Sequence, residues 1–332
     1  MIFGKIDNFI LFGGGQRLVN FITAANGYRI FVLSAPRLLS SRLDHEDITV
    51  EGYFQREDIP YASVETLDEF DSDVYINEHT LGISFGAPWI FRKKFIAKFQ
   101  GRLINGHGTQ LPKNRGGATF SWQIMRGDRS GAYLFHLIDE GIDTGNIITK
   151  RTFEFPTSCR TPKDFRDFYI YGEHAFFEEF LTKLAAGEEF EEVIQDESQS
   201  TYFPRLSTRH QGCINWQWSA QEIERFICAF DEPYEGASTF FDGTRVFLKG
   251  ASVQYEEGTF HPAMSGLIYR KYGSKVYVAV RDGSIVIDSV ADENGSCIFD
   301  HIRTGERFFT PSNVLDAAYT FKAVYDARGL KS

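Results

Sequence analysis

"NFILFGGGQRLVNFITAANGYRIFVLSAP", residues 8–36, holds an apolar run ending on three glycines, then apolar residues at helical spacing up to Gly27, then a second apolar run closed by Pro36. That order is strand, tight turn, helix, strand, and a βαβ unit of this kind predicts a parallel sheet. Residues 37–79 are more polar and give no clear periodicity. The apolar pattern returns in "TLGISFGAPWIF" (80–91), which ends at a Gly-Ala-Pro turn, and "FRKKFIAKF" (91–99) reads as an amphipathic helix. "GRLINGHG" (101–108) is the next strand, "ATFSWQIMRGD" (118–128) a helix and "GAYLFHLI" (131–138) an alternating strand. Strands alternating with helices to about residue 155 predict a Rossmann-like, mostly parallel α/β sheet.

"TPKDFRDFYIYGEHAFFEEFLTKLAAG" (161–187) opens with Thr at the N-cap and Pro at the first helical position and closes on Gly187, so it predicts a long helix covering the sheet. Residues 188–212 are charged and then polar, which suits a linker. Beyond it, Ser219 with Glu222 forms a capping box, and the short runs from Gly236 to Val290, separated by Asp-Gly turn signals, predict a smaller antiparallel β-barrel closed by a helix near 312–325. The expected division is 1–190, linker 191–212, and 213–332. A chain of 332 residues exceeds the roughly 250–300 at which single cores stop growing, which agrees with two domains.

With a net charge of −10, the chain lacks the positive field that nucleic acid or anionic membrane attracts, so a large polyanionic partner is not expected. Cys159, Cys213, Cys228 and Cys297 are scattered and read as buried free thiols. His45, His79, His136, His174, His210, His261 and His301 show no metal-ligand spacing, and no metal is expected. No basic-then-apolar leader opens the sequence and no apolar run approaches the ~18 residues of a membrane span, so a cytoplasmic protein is expected.

The chemistry concentrates in "LINGHGTQLPKNRGG" (103–117). Open parallel sheets bind ligands beyond the carboxyl ends of their strands, and residues i and i+2 share a strand face, so Asn105 and His107 point together into one cleft. Gly106 and Gly108 are expected to clear space for a substrate to approach. "DEGIDTG" (139–145) adds Asp139, Glu140 and Asp143 in a glycine-bounded loop. Amide, imidazole and carboxylate suit acyl transfer to an amine without a covalent enzyme intermediate: Asn105 is expected to donate to the oxyanion, His107 to supply a second hydrogen bond or handle the amine proton, and Asp143 to raise the imidazole pKa and accept or relay that proton. The spacing alone leaves open a structural histidine beside a turn-forming asparagine.

The segment "LINGHGTQLPKNRGG…GDRSGAYLFHLIDEGIDTGNI" resembles the core of the folate-dependent formyltransferases, in which Asn-x-His, Leu-Pro, Arg-Gly and Gly-[Leu/Ile]-Asp-Thr-Gly occur in this order. The resemblance implies that Asn105, His107 and Asp143 are catalytic and that N10-formyltetrahydrofolate is the donor. It places the pterin against the turn carrying Phe85, Gly86, Ala87 and Trp89, with Asp139 and Gly141 closing the other side. It extends through "YFPRLS…GCINWQWSAQEIERFICAF" into a C-terminal domain that is often an open five-stranded barrel of the OB type. Members are often dimers, so a homodimer is also implied.

Departures from the family pattern bear on the acceptor. The Arg-Gly here is followed by "GATFSW", which lacks the Ala-Ala-Pro usual in methionyl-tRNA formyltransferases and sets Trp122 near the cleft. The first turn is Gly13-Gly14-Gly15-Gln16-Arg17 in place of a Gly-Thr-Pro. A nucleotide-linked amino sugar is therefore expected as the small-molecule partner, with nucleotide contacts from Gly14, Arg17, Lys113, Arg115 and Trp122. The alternatives are methionyl-tRNA as acceptor, or a noncatalytic nucleotide-binding module; for Gly14 and Arg17 a plain βα turn, for Lys113 and Arg115 solvated loop charges, and for Trp122 core packing, remain open.

Overall fold

The computed structural model describes residues 1–43 and 47–331; His45 lies outside them. Strands β1 (Asn8–Gly13), β2 (Arg29–Ser34), β3 (Tyr61–Ser63), β4 (Thr80–Phe85) and β5 (Leu103–His107) pair in parallel, in the order β3-β2-β1-β4-β5. A two-residue strand, β6 (Arg115–Gly116), lies outside this sheet. The sheet continues through β7 (Ser130–Leu137) and β8 (Ile147–Glu154), and both of these pairings are antiparallel. The strict alternation of strands and helices expected up to residue 155 stops at β7. Only residues 138–146 join β7 to β8, too few for the crossover of a dozen or more residues that a parallel return requires.

The central strand β1 is buried on both faces because its apolar residues are consecutive, not alternating with polar ones. Phe9 and Leu11 belong to one hydrophobic cluster, with Phe21, Phe85, Phe135 and Phe177, beneath the helices Gln16–Ala24 and Pro162–Ala185. Ile10 and Phe12 belong to another, with Phe91, Phe95 and Phe99 on the opposite face. The helix Pro162–Ala185 starts at the expected cap: Thr161 Oγ1 accepts from Asp164 N, and the Asp164 carboxylate accepts from Thr161 N. The unparsed stretch 37–79 supplies the short helices Pro36–Leu39 and Val50–Arg56 and the edge strand β3.

The C-terminal half forms a five-stranded antiparallel sheet: β10 (Ala237–Phe241), β11 (Thr244–Gln254), β12 (Ile268–Tyr272), β13 (Lys275–Val280) and β14 (Gly283–Ala291), in the order β10-β11-β14-β13-β12. The β10–β11 hairpin turns on Asp242-Gly243, both at positive φ, the geometry that Asp-Gly supplies. Residues 306–309 bond to both edges of this sheet, at Phe240 and at Gly266–Ile268, and so connect its first and last strands. The final helix, Ser312–Thr320, is shorter than the expected 312–325. The helix Ala220–Ala229, opened by the Ser219–Glu222 box, packs on the helix Thr119–Arg126 of the first half as well as on β11.

The stretch expected as a linker, 191–212, does not hang free. Val193 pairs with Ile147, and β9 (Tyr202–Phe203) pairs in parallel with β6. This strap lies against the loop that follows His107. Among the described residues no helix is long and apolar enough to cross a membrane.

Candidate functional site

Asn105 and His107 extend from one face of β5, and the antiparallel register sets His136 of β7 directly opposite Asn105. Asn105 Nδ2 lies 3.0 Å from His136 Nε2, while His136 Nδ1 lies 2.8 Å from Leu137 O. The Leu137 carbonyl can only accept, so it fixes the proton on Nδ1 and leaves Nε2 to accept from the amide. The orientation of the Asn105 carboxamide is thereby set, with its second N–H and its oxygen turned elsewhere. His136 was not among the residues singled out as functional in the sequence. Its signal is the pairing of two strands 31 positions apart, which no local spacing carries.

The loop after β7 folds back onto this face and brings Asp143 between the two rings. Asp143 Oδ1 lies 3.8 Å from His107 Nδ1 and 3.6 Å from His136 Nε2, and Oδ2 accepts from Gly116 N at 2.9 Å. Burial works against the carboxylate, but His107 and the Gly116 N–H outweigh it and hold its pKa well below the usual range. His107 is 8% exposed, and burial pushes its pKa down against the opposing pull of Asp143. The ring is therefore neutral at pH 7, yet Nδ1 faces Asp143 and Nε2 lies 3.4 Å from Asn114 O. Both oxygens favour the imidazolium, so the surroundings suit a ring that takes up a proton transiently. Asn105, His107 and Asp143 thus meet at one place.

Gly106 on β5 and Gly108 just beyond its end have a different role from the one expected. Gly106 faces the rear of the sheet, where an added Cβ would come within 3.0 Å of both Arg17 Nη2 and the Phe85 ring. Gly108 likewise faces the ring of Tyr169, at 3.3 Å. Strand alternation is the reason: if 105 and 107 face the site, 106 and 108 face away.

Several residues expected to touch a nucleotide are committed within the fold. Arg17 donates from Nε to both oxygens of the buried Glu173, from Nη2 to Glu173 and Tyr169, and from Nη1 to Gly106 O. It braces β5 from behind. Arg115, 5% exposed, donates to Gln195 and Glu197. The indole of Trp122 donates to Pro204 O at 2.8 Å and stacks on Phe203. Gly14 packs against Leu38 in the first βα turn, and Lys113 is exposed.

The two stretches expected to hold a pterin also differ. Asp139 and Gly141 line a cleft of about 460 Å³ with Lys93, Ile96, Ala97, Ile138 and Glu140. Asp139 itself accepts from Gly141 N and Thr144 Oγ1, which shapes the loop that carries Asp143. Phe85, Gly86, Ala87 and Trp89 do not line that cleft: the Phe85 ring is buried in the core, Ala87 and the Trp89 ring pack on the second cluster, and the Trp89 indole donates to Glu65 O. Gly86, at positive φ, is exposed. The ligating atoms of His107, His136 and Asp143 lie within 4.8 Å of one another. A cation there would have to displace the Asn105 amide from His136 Nε2.

Two family models match the chain: "Formyl transferase" over residues 44–163 and "Formyl transferase, C-terminal domain" over 207–298. Methionyl-tRNA formyltransferase of Desulfotalea psychrophila is 29% identical over 57% of this chain and 57% of its own length. That of Coxiella burnetii is 32% identical over 53% and 54%. The chain thus spans just over half the length of these curated relatives. Among solved structures, an N-formyltransferase from Helicobacter canadensis, in complex with folinic acid and dTDP-3-aminofucose, superposes with a TM-score of 0.64 at 20% identity, over 85% of this chain and 98% of the other. The sugar 3N-formyltransferase WlaRD, in the presence of dTDP and 5-N-formyl-THF, gives 0.63 at 21% over 87% and 98%. At such identities the superpositions speak for the fold. With both of its family models matched in order, and the Asn-x-His and Asp-Thr-Gly residues gathered on one face of the sheet, the chain belongs to the formyl transferase family.

Proposed function

We propose that the protein transfers the formyl group of N10-formyltetrahydrofolate to the amine of a nucleotide-linked amino sugar. The observation that carries the reaction class is the meeting of Asn105, His107 and Asp143 in a chain of this family. The amine lone pair attacks the formyl carbon, a C–N bond forms, and the carbonyl electrons move onto oxygen. The free N–H of Asn105 donates to that oxyanion. His107 takes the proton of the attacking nitrogen, and Asp143 stabilises the imidazolium. When the bond to N10 breaks, a proton returns to that nitrogen, and the N-formylated acceptor and tetrahydrofolate leave. The reduced pterin enters the cleft lined by Ile96, Ile138 and Gly141, beside the loop that bears Asp143.

For the acceptor, a net charge of −10 and structural neighbours solved with dTDP or a dTDP-linked sugar support a small nucleotide-linked amine. Arg17, Arg115 and Trp122 take no part in this reading, because their polar groups are already paired. The curated relatives favour a second reading, methionyl-tRNA. The test is incubation with N10-formyltetrahydrofolate and, in parallel, a panel of nucleotide-linked amino sugars and charged initiator tRNA, read by mass spectrometry. A formyl gain on a sugar and none on the tRNA is expected. A gain on the tRNA alone would overturn the choice of acceptor.

A further inference from the structure

Asp143 sits at φ 57°, a left-handed conformation that is uncommon outside glycine and that aspartate adopts more readily than most. The group that holds the turn comes from the strap. Gln195, 6% exposed, donates from Nε2 to Asp143 O at 2.9 Å and to Gly145 O at 2.7 Å, so one amide spans the turn on either side of Thr144. Its Oε1 accepts from Arg115 Nε at 3.2 Å and Nη2 at 2.8 Å, and Arg115 is held in turn by Glu197. The carboxamide therefore has both hydrogens and its oxygen engaged.

Two further contacts close the network. Val193 and Ile147 exchange backbone bonds of 2.8 and 2.9 Å, which sets the register of Gln195 two residues later. Arg115 precedes Gly116, whose N–H holds the Asp143 carboxylate, and an added Cβ on Gly116 would lie 2.1 Å from Phe203 O of the strap. Backbone and side chain of Asp143 are thus fixed from two points of one connected unit.

We propose that Gln195 is a positioning residue: anchored by Arg115, its carboxamide holds the 143–145 turn so that the Asp143 carboxylate faces His107 and His136. Gln195 touches none of the reacting groups and acts through Asp143. The effect on rate rests on the formyl-transfer reading above; the effect on His107 does not. Segment 191–199 then belongs to the catalytic machinery although it lies beyond the last strand of the sheet.

The informative variant is Gln195→Glu, which still accepts from Arg115, and so keeps the buried charge paired, but cannot donate to the two carbonyls. Gln195→Met removes both functions. For Gln195→Glu, kcat is expected to fall roughly 10- to 100-fold, as for a small misplacement of a catalytic group, with KM for donor and acceptor within about twofold. The acid limb of the pH–rate profile moves down, because His107, the base, loses part of the pull of the Asp143 carboxylate that raises its pKa. In the substrate-free protein, the imidazole resonance of His107 titrates at lower pH in the variant than in wild type. An unchanged His107 titration in a folded Gln195→Glu protein would overturn the proposal, as would an unchanged kcat. Absence of formyl transfer in wild type would sink the functional reading, and the His107 titration alone would then decide the role of Gln195.

Discussion

The glycine-rich turn 13–17 and the glycine-rich stretch 103–117 look alike in the sequence, since each follows an apolar strand and offers polar side chains among glycines. In the fold they behave oppositely. Arg17 is used up: Glu173, Tyr169 and Gly106 O take donors from all three guanidinium nitrogens. Asn105 and His107 are held without being saturated. Among the described residues, the Asn105 carboxamide bonds only His136, and the His107 ring makes only long contacts of 3.4 and 3.8 Å. A polar group that serves the fold has its hydrogen bonds completed by the fold. One that serves chemistry is oriented by the fold and left with capacity for something else.

Substitution at each stretch can break this contrast. His107→Ala is expected to lower kcat by about a thousandfold, within the range for loss of a positioned acid–base group, while the thermal midpoint stays near that of wild type. Steady-state kinetics beside a melting curve checks this, and a large loss of stability with little loss of rate would reverse the assignment. Arg17→Met should do the opposite, leaving the Glu173 carboxylate buried and unpaired at a cost of about 3–5 kcal/mol, read from denaturant unfolding. An unchanged midpoint there would mean that the pair does not support the fold.

Acid sharpens the contrast further. Since the pKa of His107 lies below its ordinary 6.5 in the folded state, the unfolded chain binds the proton first, and stability falls as pH drops below 6.5 toward the folded value. The contribution of Asp143, depressed from 3.8, is complete above that pH and is lost only on stronger acidification. Unfolding free energies followed from pH 7 down to about pH 2 should fall first below 6.5 and again below 3.8, the first decline being absent in His107→Asn. A single decline confined to the lower range would contradict the reading of His107. The smallest effect belongs to Trp122→Phe, which loses one hydrogen bond to Pro204 O and should cost about 0.5–1.5 kcal/mol with an unchanged acceptor KM. A raised KM would return Trp122 to the acceptor site.

Local signals made much of this legible in advance. The βαβ opening, the capped helix from Thr161, the Ser219–Glu222 box and the Asp242-Gly243 hairpin all depend on residues a few positions apart, and each lies where its pattern places it. Asn105, His107 and Asp143 were readable because their surrounding motifs are contiguous. His136 and Gln195 were hidden because their partners come from strand register and from a strap some 50 residues away from the turn it holds. The antiparallel ending of the sheet was missed for a similar reason, since "GAYLFHLI" has the same alternation in either direction. Arg17 and Arg115 misled because a basic side chain near glycines reads as an anion site until its carboxylate partner, distant in sequence, is known.

The central claim is that the carboxylate facing His107 drives the transfer step and does not merely help hold the folate. Single-turnover transfer by Asp143→Asn, measured beside the Kd for the folate donor, tests it most directly. The account predicts a rate lower by two or more orders of magnitude, within the span of lost acid–base catalysis, with a Kd within a few fold of wild type. A wild-type rate at saturating donor, with only the Kd raised, would contradict it.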